Sequence, residues 1–190
     1  MVENRFFETI KCDDYEVFNL EYHKKRMANT VGKNFSLEEY IYPNSHELLK
    51  CKVVYTSNDI IDISYDKYTA KNITSFKLIY DDNIDYSFKS FNREDINSLL
   101  LKKESADEII IIKNGLLTDT SIANIAIYLD DVWITPIKPL LHGTTKNRYI
   151  DNNILIQKDI TVEMLLRSKK IALLNAMIDL KILDNFDIIQ

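Results

Sequence analysis

Glycine is scarce in this chain: 190 residues hold three, at positions 32, 115 and 143, where average usage would give roughly 13. Glycines this scattered build neither a G-x-G-x-x-G fingerprint nor a Walker loop, so two common phosphate cradles are excluded. Histidine is as rare. His23, His46 and His142 make no H-E-x-x-H pair, and Cys12 and Cys51 make no C-x-x-C, so no metal site is expected. Two distant cysteines fit a reduced chain rather than a disulfide scaffold. No apolar run approaches the roughly 18 residues of a membrane span, and Met1-Val2-Glu3-Asn4-Arg5 does not open a signal peptide. A cytoplasmic protein without a membrane partner is the expectation. A net charge of −5 argues against nucleic acid as the main partner, because phosphate neutralisation needs clustered Lys and Arg. What remains is an ordinary globular chain, 46% hydrophobic and 28% charged, long enough for one medium domain or two small lobes sharing a site.

Strands come first, then strands mixed with helices. Arg5–Lys11 and Tyr15–Leu20 are β-prone runs about a Cys12-Asp13-Asp14 turn, a hairpin by composition. Glu21–Val31 is helix-prone, with Tyr22, Met27 and Val31 on its candidate buried side. Ser36-Leu37-Glu38-Glu39 has capping-box spacing, which predicts a short helix toward Ile41, stopped by Pro43. Cys51–Thr56, Asn58–Tyr65 and Ser75–Tyr80 read as strands. Asp81-Asp82-Asn83 is the candidate boundary between a smaller N-terminal α/β lobe, residues 1–82, and a larger C-terminal lobe, residues 83–190. Ile84–Phe88 reads as a strand and Arg93–Lys103 as a helix. The near-continuous apolar run Asp107–Lys113 predicts a strand buried on both faces, and Asn114-Gly115 is a strong hairpin turn. Ile122–Tyr128 and Val132–Thr135 follow as strands, Thr145–Asn152 and Thr161–Ser168 as helices, and Ile171–Leu174 and Leu180–Leu183 as closing strands. The expected fold class is strand-rich α+β in two lobes.

Four features could carry chemistry, and each has a plainer reading beside it. Lys89 falls among Tyr86, Phe88 and Phe91 at a strand-to-helix junction, where desolvation favours the neutral, nucleophilic amine; the plainer reading is a surface lysine. Gly143-Thr144-Thr145 opens a helical stretch and combines close backbone approach, hydroxyls and a positive helix end suited to an anion, or is an ordinary cap. Thr118-Asp119-Thr120-Ser121-Ile122-Ala123-Asn124 is a dense polar stretch between apolar strands, either a pocket or a turn. His23-Lys24-Lys25-Arg26 is a basic site element or a solvated helix face.

Taken in order, these features resemble the class IV aminotransferase family: pyridoxal-phosphate enzymes of the branched-chain and D-amino-acid aminotransferase fold, with aminodeoxychorismate lyase among them. Phe6-Phe7-Glu8-Thr9-Ile10 looks like the family's F-E-T-hydrophobic strand, and His23-Lys24-Lys25-Arg26-Met27 is similar to its H-x-x-R-L element. Lys89-Ser90-Phe91-Asn92-Arg93 resembles the K-x-x-N-R segment, and Asp107-Glu108 with the isoleucine run and Asn114-Gly115 looks like the D-E-hydrophobic strand and turn. Asp119, Ser121, Asn124, Thr135 and Pro136 hold the register of T-E-x-[ST]-x-x-N followed by T-P, and Gly143-Thr144-Thr145 looks like the G-x-[ST] phosphate loop. The resemblance runs along nearly the whole chain.

It implies a two-lobed, D-amino-acid aminotransferase-like fold (fold type IV), pyridoxal 5'-phosphate as cofactor, a small amino substrate and a homodimer. It implies Lys89 as the Schiff-base lysine and proton shuttle, and Asp119 as the carboxylate that keeps the ring nitrogen protonated. Arg26, Gly143, Thr144 and Thr145 are implied at the phosphate, with Ser121, Ile122, Ala123 and Asn124 completing the cofactor contacts. Leu174-Asn175-Ala176-Met177 is similar to the N-[AS]-hydrophobic segment of the lyases, so the expected reaction converts 4-amino-4-deoxychorismate to 4-aminobenzoate and pyruvate, in folate biosynthesis. Transamination of D- or branched-chain amino acids is the alternative, and a non-catalytic binding relative is the alternative of another class. Three departures stand out: no D-R-G…G-D-G segment precedes F-E-T, Asp119 replaces the usual Glu, and the loop from Pro136 to His142 is compact.

Overall fold

β1 (Phe6–Asp13) buries Glu8, Ile10 and Cys12 while Phe7, Thr9 and Lys11 stay half-buried, the alternation of a strand covered more on one face. These observations come from a computed structural model describing residues 4–190; Met1–Glu3, part of the stretch read for a signal peptide, lie outside it. Asp14 and Tyr15 take positive φ and turn the chain into β2 (Glu16–Val17). The expected strand Tyr15–Leu20 shortens to these two paired residues, because Asn19 adopts a left-handed φ of 56° and starts a helix at once. That helix, α1 (Leu20–Val31), buries His23 and Met27, one turn apart. The capping box does not form: Leu37–Glu39 is a single 3-10 turn without a side-chain bond from Ser36.

β3 (Leu49–Tyr55) pairs antiparallel with β1 from Phe6 opposite Tyr55 to Cys12 opposite Leu49, and β4 (Ile60–Lys67) pairs with β3. The sheet order is β2-β1-β3-β4, over a core of Ile10, Met27, Leu37, Cys51 and Val53. Cys12 and Cys51 are buried there without a disulfide. The segment Phe88–Asn92 joins this sheet: the Phe7 amide donates to the Lys89 carbonyl at 3.0 Å, and the Phe91 amide to the Arg5 carbonyl at 2.9 Å. Residues through Ala70 together with Phe88–Asn92 form one compact unit; Lys71–Ser87 with Arg93–Gln190 form the second.

The second unit starts with β5 (Ser75–Tyr80), α2 (Glu94–Leu100) and β6 (Glu108–Lys113). β5 and β6 are parallel neighbours. The expected split after residue 82 counts β5 with the first lobe; its ladder to β6 places it in the second unit. The expected strand Ile84–Phe88 is irregular instead. Asp81 accepts from the amides of Asn83 and Ile84, and Asp85 from that of Ser87, so local turns take the donors a ladder would use. β6 is buried on both faces, Ile109 and Ile111 toward Ile96 and Leu99 of α2, Ile110 and Ile112 toward Phe76, Leu117 and Ile125. That explains its unbroken apolar run.

β7 (Leu116–Thr120) returns antiparallel, followed by β8 (Asn124–Leu129), β9 (Val132–Pro136), α3 (Thr144–Asp151), β10 (Ile156–Lys158), α4 (Val162–Arg167), β11 (Lys170–Asn175), β12 (Asp179–Leu183) and β13 (Asp187–Ile189). The path runs β10-β9-β8-β7-β6-β5-β13, with β11 pairing both β8 and β12. β10 and β13 have no sequence signal. They are three residues each, and their parallel partners β9 and β5 define them. Among the described residues, no helix is long and apolar enough to cross a membrane.

The β6–β7 turn is left-handed at both central residues, Asn114 (φ 52°) and Gly115 (φ 75°). A Cβ on Gly115 would meet nothing within 4 Å, so Gly115→Ala adds only backbone strain. It should lower stability by about 1–2 kcal/mol, read by urea denaturation through Trp133, the only tryptophan, which lies in the second unit.

Candidate active site

In the first unit, the strand period puts one carboxylate, Glu8, on the buried side of β1, fully out of solvent. α1 supplies its partners. His23 Nδ1 lies 2.6 Å from the carboxylate, and Arg26 donates through Nε at 2.8 Å and through Nη2. Burial would raise the Glu8 carboxyl, but the Arg26 guanidinium and the His23 bond outweigh it and hold it at about 2. Glu8 is therefore ionised and can only accept, which assigns the proton to His23 Nδ1. Burial holds the imidazole below its ordinary value despite Glu8. His23 Nε2 is then a buried acceptor with no partner among the described residues.

Lys89, on the segment that pairs with β1, rests its amine 4.5 Å from the centroid of the Phe7 ring. Lys52 lies 5.7 Å from the same ring and 4.5 Å from that of Phe91. The lysine amine is held half-buried against aromatic faces.

In the second unit, Asp119 is the last but one residue of β7, opposite Asn124, the first of β8. Its carboxylate is buried and accepts from Asn124 Nδ2 at 2.6 Å and from the Leu141 amide at 2.8 Å. Asn124 Nδ2 also donates to the Leu141 carbonyl at 2.8 Å, so the compact 137–143 loop is tied to both side chains. Burial pushes Asp119 up to about 6 against the pull of those donors and of Lys146. It remains ionised at neutral pH. Gly143 is required here: a Cβ would sit 1.8 Å from Asn124 Oδ1. Gly143 precedes α3, whose first residues Thr144 and Thr145 are buried. Helix geometry leaves the first amides of α3 without a carbonyl one turn earlier.

The 120–123 turn has a second buried carboxylate behind it. Glu108, from β6, accepts from the Ser121 hydroxyl at 2.9 Å and from the amides of Ile109 and Ser121 at 2.8 and 3.3 Å. Thr120 closes the turn through its hydroxyl to the Ala123 carbonyl, Arg93 donates to the Ser121 carbonyl at 2.7 Å, and Asn175 to the Ile122 carbonyl at 3.3 Å. Ser121, Ile122 and Ala123 are thus placed by a braced backbone.

A family model described as amino-transferase class IV matches residues 60–181. The chain belongs to the class IV aminotransferase family. An uncharacterized protein of Haemophilus influenzae (strain ATCC 51907 / DSM 11121 / KW20 / Rd) is 31% identical over 182 residues, covering 90% of this chain and 96% of that one. A structure from Haemophilus somnus 129pt, provisionally named 4-amino-4-deoxychorismate lyase, is 32% identical with a TM-score of 0.85, covering 93% of this chain and 98% of that chain. A hypothetical aminotransferase from Mycobacterium tuberculosis, in its PLP-bound form, shares the fold at 14% identity and a TM-score of 0.78, covering 96% of this chain and 81% of that chain. The fold of this class IV family member is the two-lobed α+β fold type IV of pyridoxal-phosphate enzymes.

Of the residues singled out from sequence, the first unit brings Arg26 to Glu8 and His23, and the second gathers Asp119, Ser121, Asn124 and Gly143. His23 stands in the basic element read from sequence, whereas Glu8, Glu108 and Lys146 were not among the candidate site residues. For Glu8 there was a signal, a lone acid in the inward register of an apolar strand; for Lys146 there was none.

Two substitutions test these clusters. Glu8→Gln removes the charge that Arg26 and His23 bond and should lower hydrogen-exchange protection of the β1 amides by about 3 kcal/mol, the scale of a broken buried pair. In the unaltered chain, Glu8 contributes stability above its ordinary 4.5, lost as pH falls through that value toward about 2. Gly143→Ala forces Asn124 off Asp119 and should destabilise the second unit by about 1–3 kcal/mol in urea, followed through Trp133.

Proposed function

We propose that this chain is a pyridoxal-phosphate enzyme that moves a proton at the Cα of a small primary amino acid, with transamination as its reaction. The Asp119 carboxylate carries the reading: it is buried, ionised above about 6, and built in by Asn124, Leu141 and Gly143. Such a group suits a cationic ring nitrogen, and a solvated turn would not hold it. By residue type the donors suit the cofactor: an amine at Lys89 in the first unit and, in the second, a carboxylate at Asp119 with Thr144 and Thr145 at a helix start next to a glycine that admits no Cβ. The family match supports the cofactor, and the aminotransferase name of the Mycobacterium tuberculosis relative favours the choice of reaction.

Bound pyridoxal phosphate supplies a carbonyl for amines and an electron sink for the charge left at Cα. The Lys89 amine would hold the cofactor and, freed when the substrate's amine takes its place, would take and return the Cα proton at Nζ. Asp119 accepts the ring N–H and keeps it protonated, an opposite-charge effect on its acidity. In the second unit the first amides and hydroxyls of α3 would take the phosphate; in the first, Glu8 orients Arg26, the cation that the family resemblance implies for the same role. Ser121, Ile122, Ala123 and Asn124 line the ring through a turn that Glu108 and Arg93 keep rigid. The same reading takes the protein as a cytoplasmic homodimer.

One observation favours a second reaction, release of pyruvate and 4-aminobenzoate from 4-amino-4-deoxychorismate. Asn175, in the segment similar to that of the lyases, bonds to the 120–123 turn at Ile122, and the Haemophilus somnus relative carries the lyase name.

With added pyridoxal phosphate, the protein should show a visible absorbance band, and borohydride should fix the cofactor's mass to the chain. Lys89→Ala should lose both while keeping its circular dichroism; fixation on that variant would overturn the assignment. Asp119→Asn should retain cofactor but lose at least about tenfold in kcat, or roughly 1.4 kcal/mol. Turnover of D-alanine or branched-chain amino acids with a keto acid, against 4-aminobenzoate from aminodeoxychorismate, separates the two reactions.

A further inference from the structure

Lys146 stands where two general rules disfavour a cation. Its side chain is 1% exposed, although lysine is almost never fully buried unless paired. It also lies in the first turn of α3, where the helix dipole presents positive charge. Its Nζ donates to the Pro136 carbonyl at 2.8 Å, a neutral partner that does not balance the charge. Among the described residues no carboxylate is in ion-pair contact with it, and Asp119 is the anion that acts on its charge.

Pro136 ends β9, and residues 137–143 return the chain to α3. That return contributes the Leu141 amide to Asp119 and the Leu141 carbonyl to Asn124. Lys146 therefore spans the base of the loop whose backbone holds the Asp119 carboxylate. We propose that Lys146 is a positioning residue for Asp119: it pins the 137–143 loop at Pro136 and supplies the positive charge that balances the carboxylate inside the fold. This deepens the reading of Asp119 as the ring-nitrogen partner, while the pairing itself needs no cofactor.

Other charged groups lie on the elements around these two residues, among them the exposed Lys138 of the same loop. Partial desolvation and the Lys146 charge keep the imidazole of His142, on the same loop, below its ordinary value. Arg148, further along α3, pairs with Asp179. Glu108 of β6 takes the Ser121 hydroxyl and amide, and Asn124 of β8 is neutral. Burial raises Asp119 to about 6 and lowers Lys146 to about 8, each restrained by the other. Between those values both groups are charged and the pair is complete. Below the lower one Lys146 loses its counter-charge, and above the upper one Asp119 does.

The test titrates Asp119 directly, in the full chain without added cofactor, by 13C NMR of labelled aspartate carboxyls; the resonance is identified by its loss in Asp119→Asn. Lys146→Met should raise the Asp119 midpoint by about one pH unit, a tenfold weaker acid, while Lys146→Arg should keep it near the unaltered value. A merely structural lysine would not produce that pattern, and an unchanged midpoint in folded Lys146→Met overturns the proposal. Should Lys146→Met fail to fold, the reciprocal measurement decides. Asp119→Asn should make Lys146 about tenfold more acidic at its 13Cε resonance, and an unchanged lysine overturns the proposal. Failure of cofactor fixation at Lys89 would refute the proposed function and leave both titrations as they are, so the two ideas fail separately.

Discussion

A carboxylate withdrawn from water keeps its charge only if donors and a cation surround it, and Asp119 imposes that demand on the second unit. The demand explains why the loop after β9 is compact: its Leu141 amide must reach the carboxylate, and its Leu141 carbonyl must hold the Asn124 amide that reaches it too. Position 143 has to be glycine because Asn124 occupies the space of a Cβ. The lysine buried in the first turn of α3 bonds the neutral Pro136 carbonyl, and Asp119 is the anion that acts on its charge. Behind this shell Glu108 holds the Ser121 hydroxyl and amide, so the turn between β7 and β8 is anchored from the neighbouring strand.

The first unit solves a similar problem with the opposite result. Glu8 is as buried as Asp119, yet its carboxyl falls to about 2 while that of Asp119 rises to about 6. Desolvation is the largest influence on both. Glu8 has a guanidinium donating twice and an imidazole donating once, and their combined attraction exceeds the penalty. Asp119 has one amide, one carboxamide and a lysine that does not touch it, and these do not. Glu8 is consequently a permanent structural anion that orients Arg26, whereas burial holds the Asp119 carboxyl at about 6, so it keeps its charge at neutral pH and loses it only in mild acid.

Much of the fold was legible along the chain because it rests on local rules. The isoleucine run of β6, the Asn114-Gly115 turn, the inward alternation of β1 and the glycine ahead of α3 are each a backbone preference or a burial period written in consecutive residues. The order of Lys89, Asp119, Ser121, Asn124 and Gly143-Thr144-Thr145 was legible as a family pattern for the same reason, since short motifs survive as adjacent letters.

What tertiary structure alone decided is whatever depends on partners distant in sequence. β10 and β13 exist because β9 and β5 offer open ladders, and Ile84–Phe88 is not a strand because Asp81 and Asp85 claim its amides. The burial of Lys146, the grip of Glu108 on Ser121 and the division that sends Phe88–Asn92 to the first unit are also contacts across long sequence gaps. A sequence carries the propensity of each residue, but the charge state of a buried one is set by the field of neighbours that only the folded chain assembles.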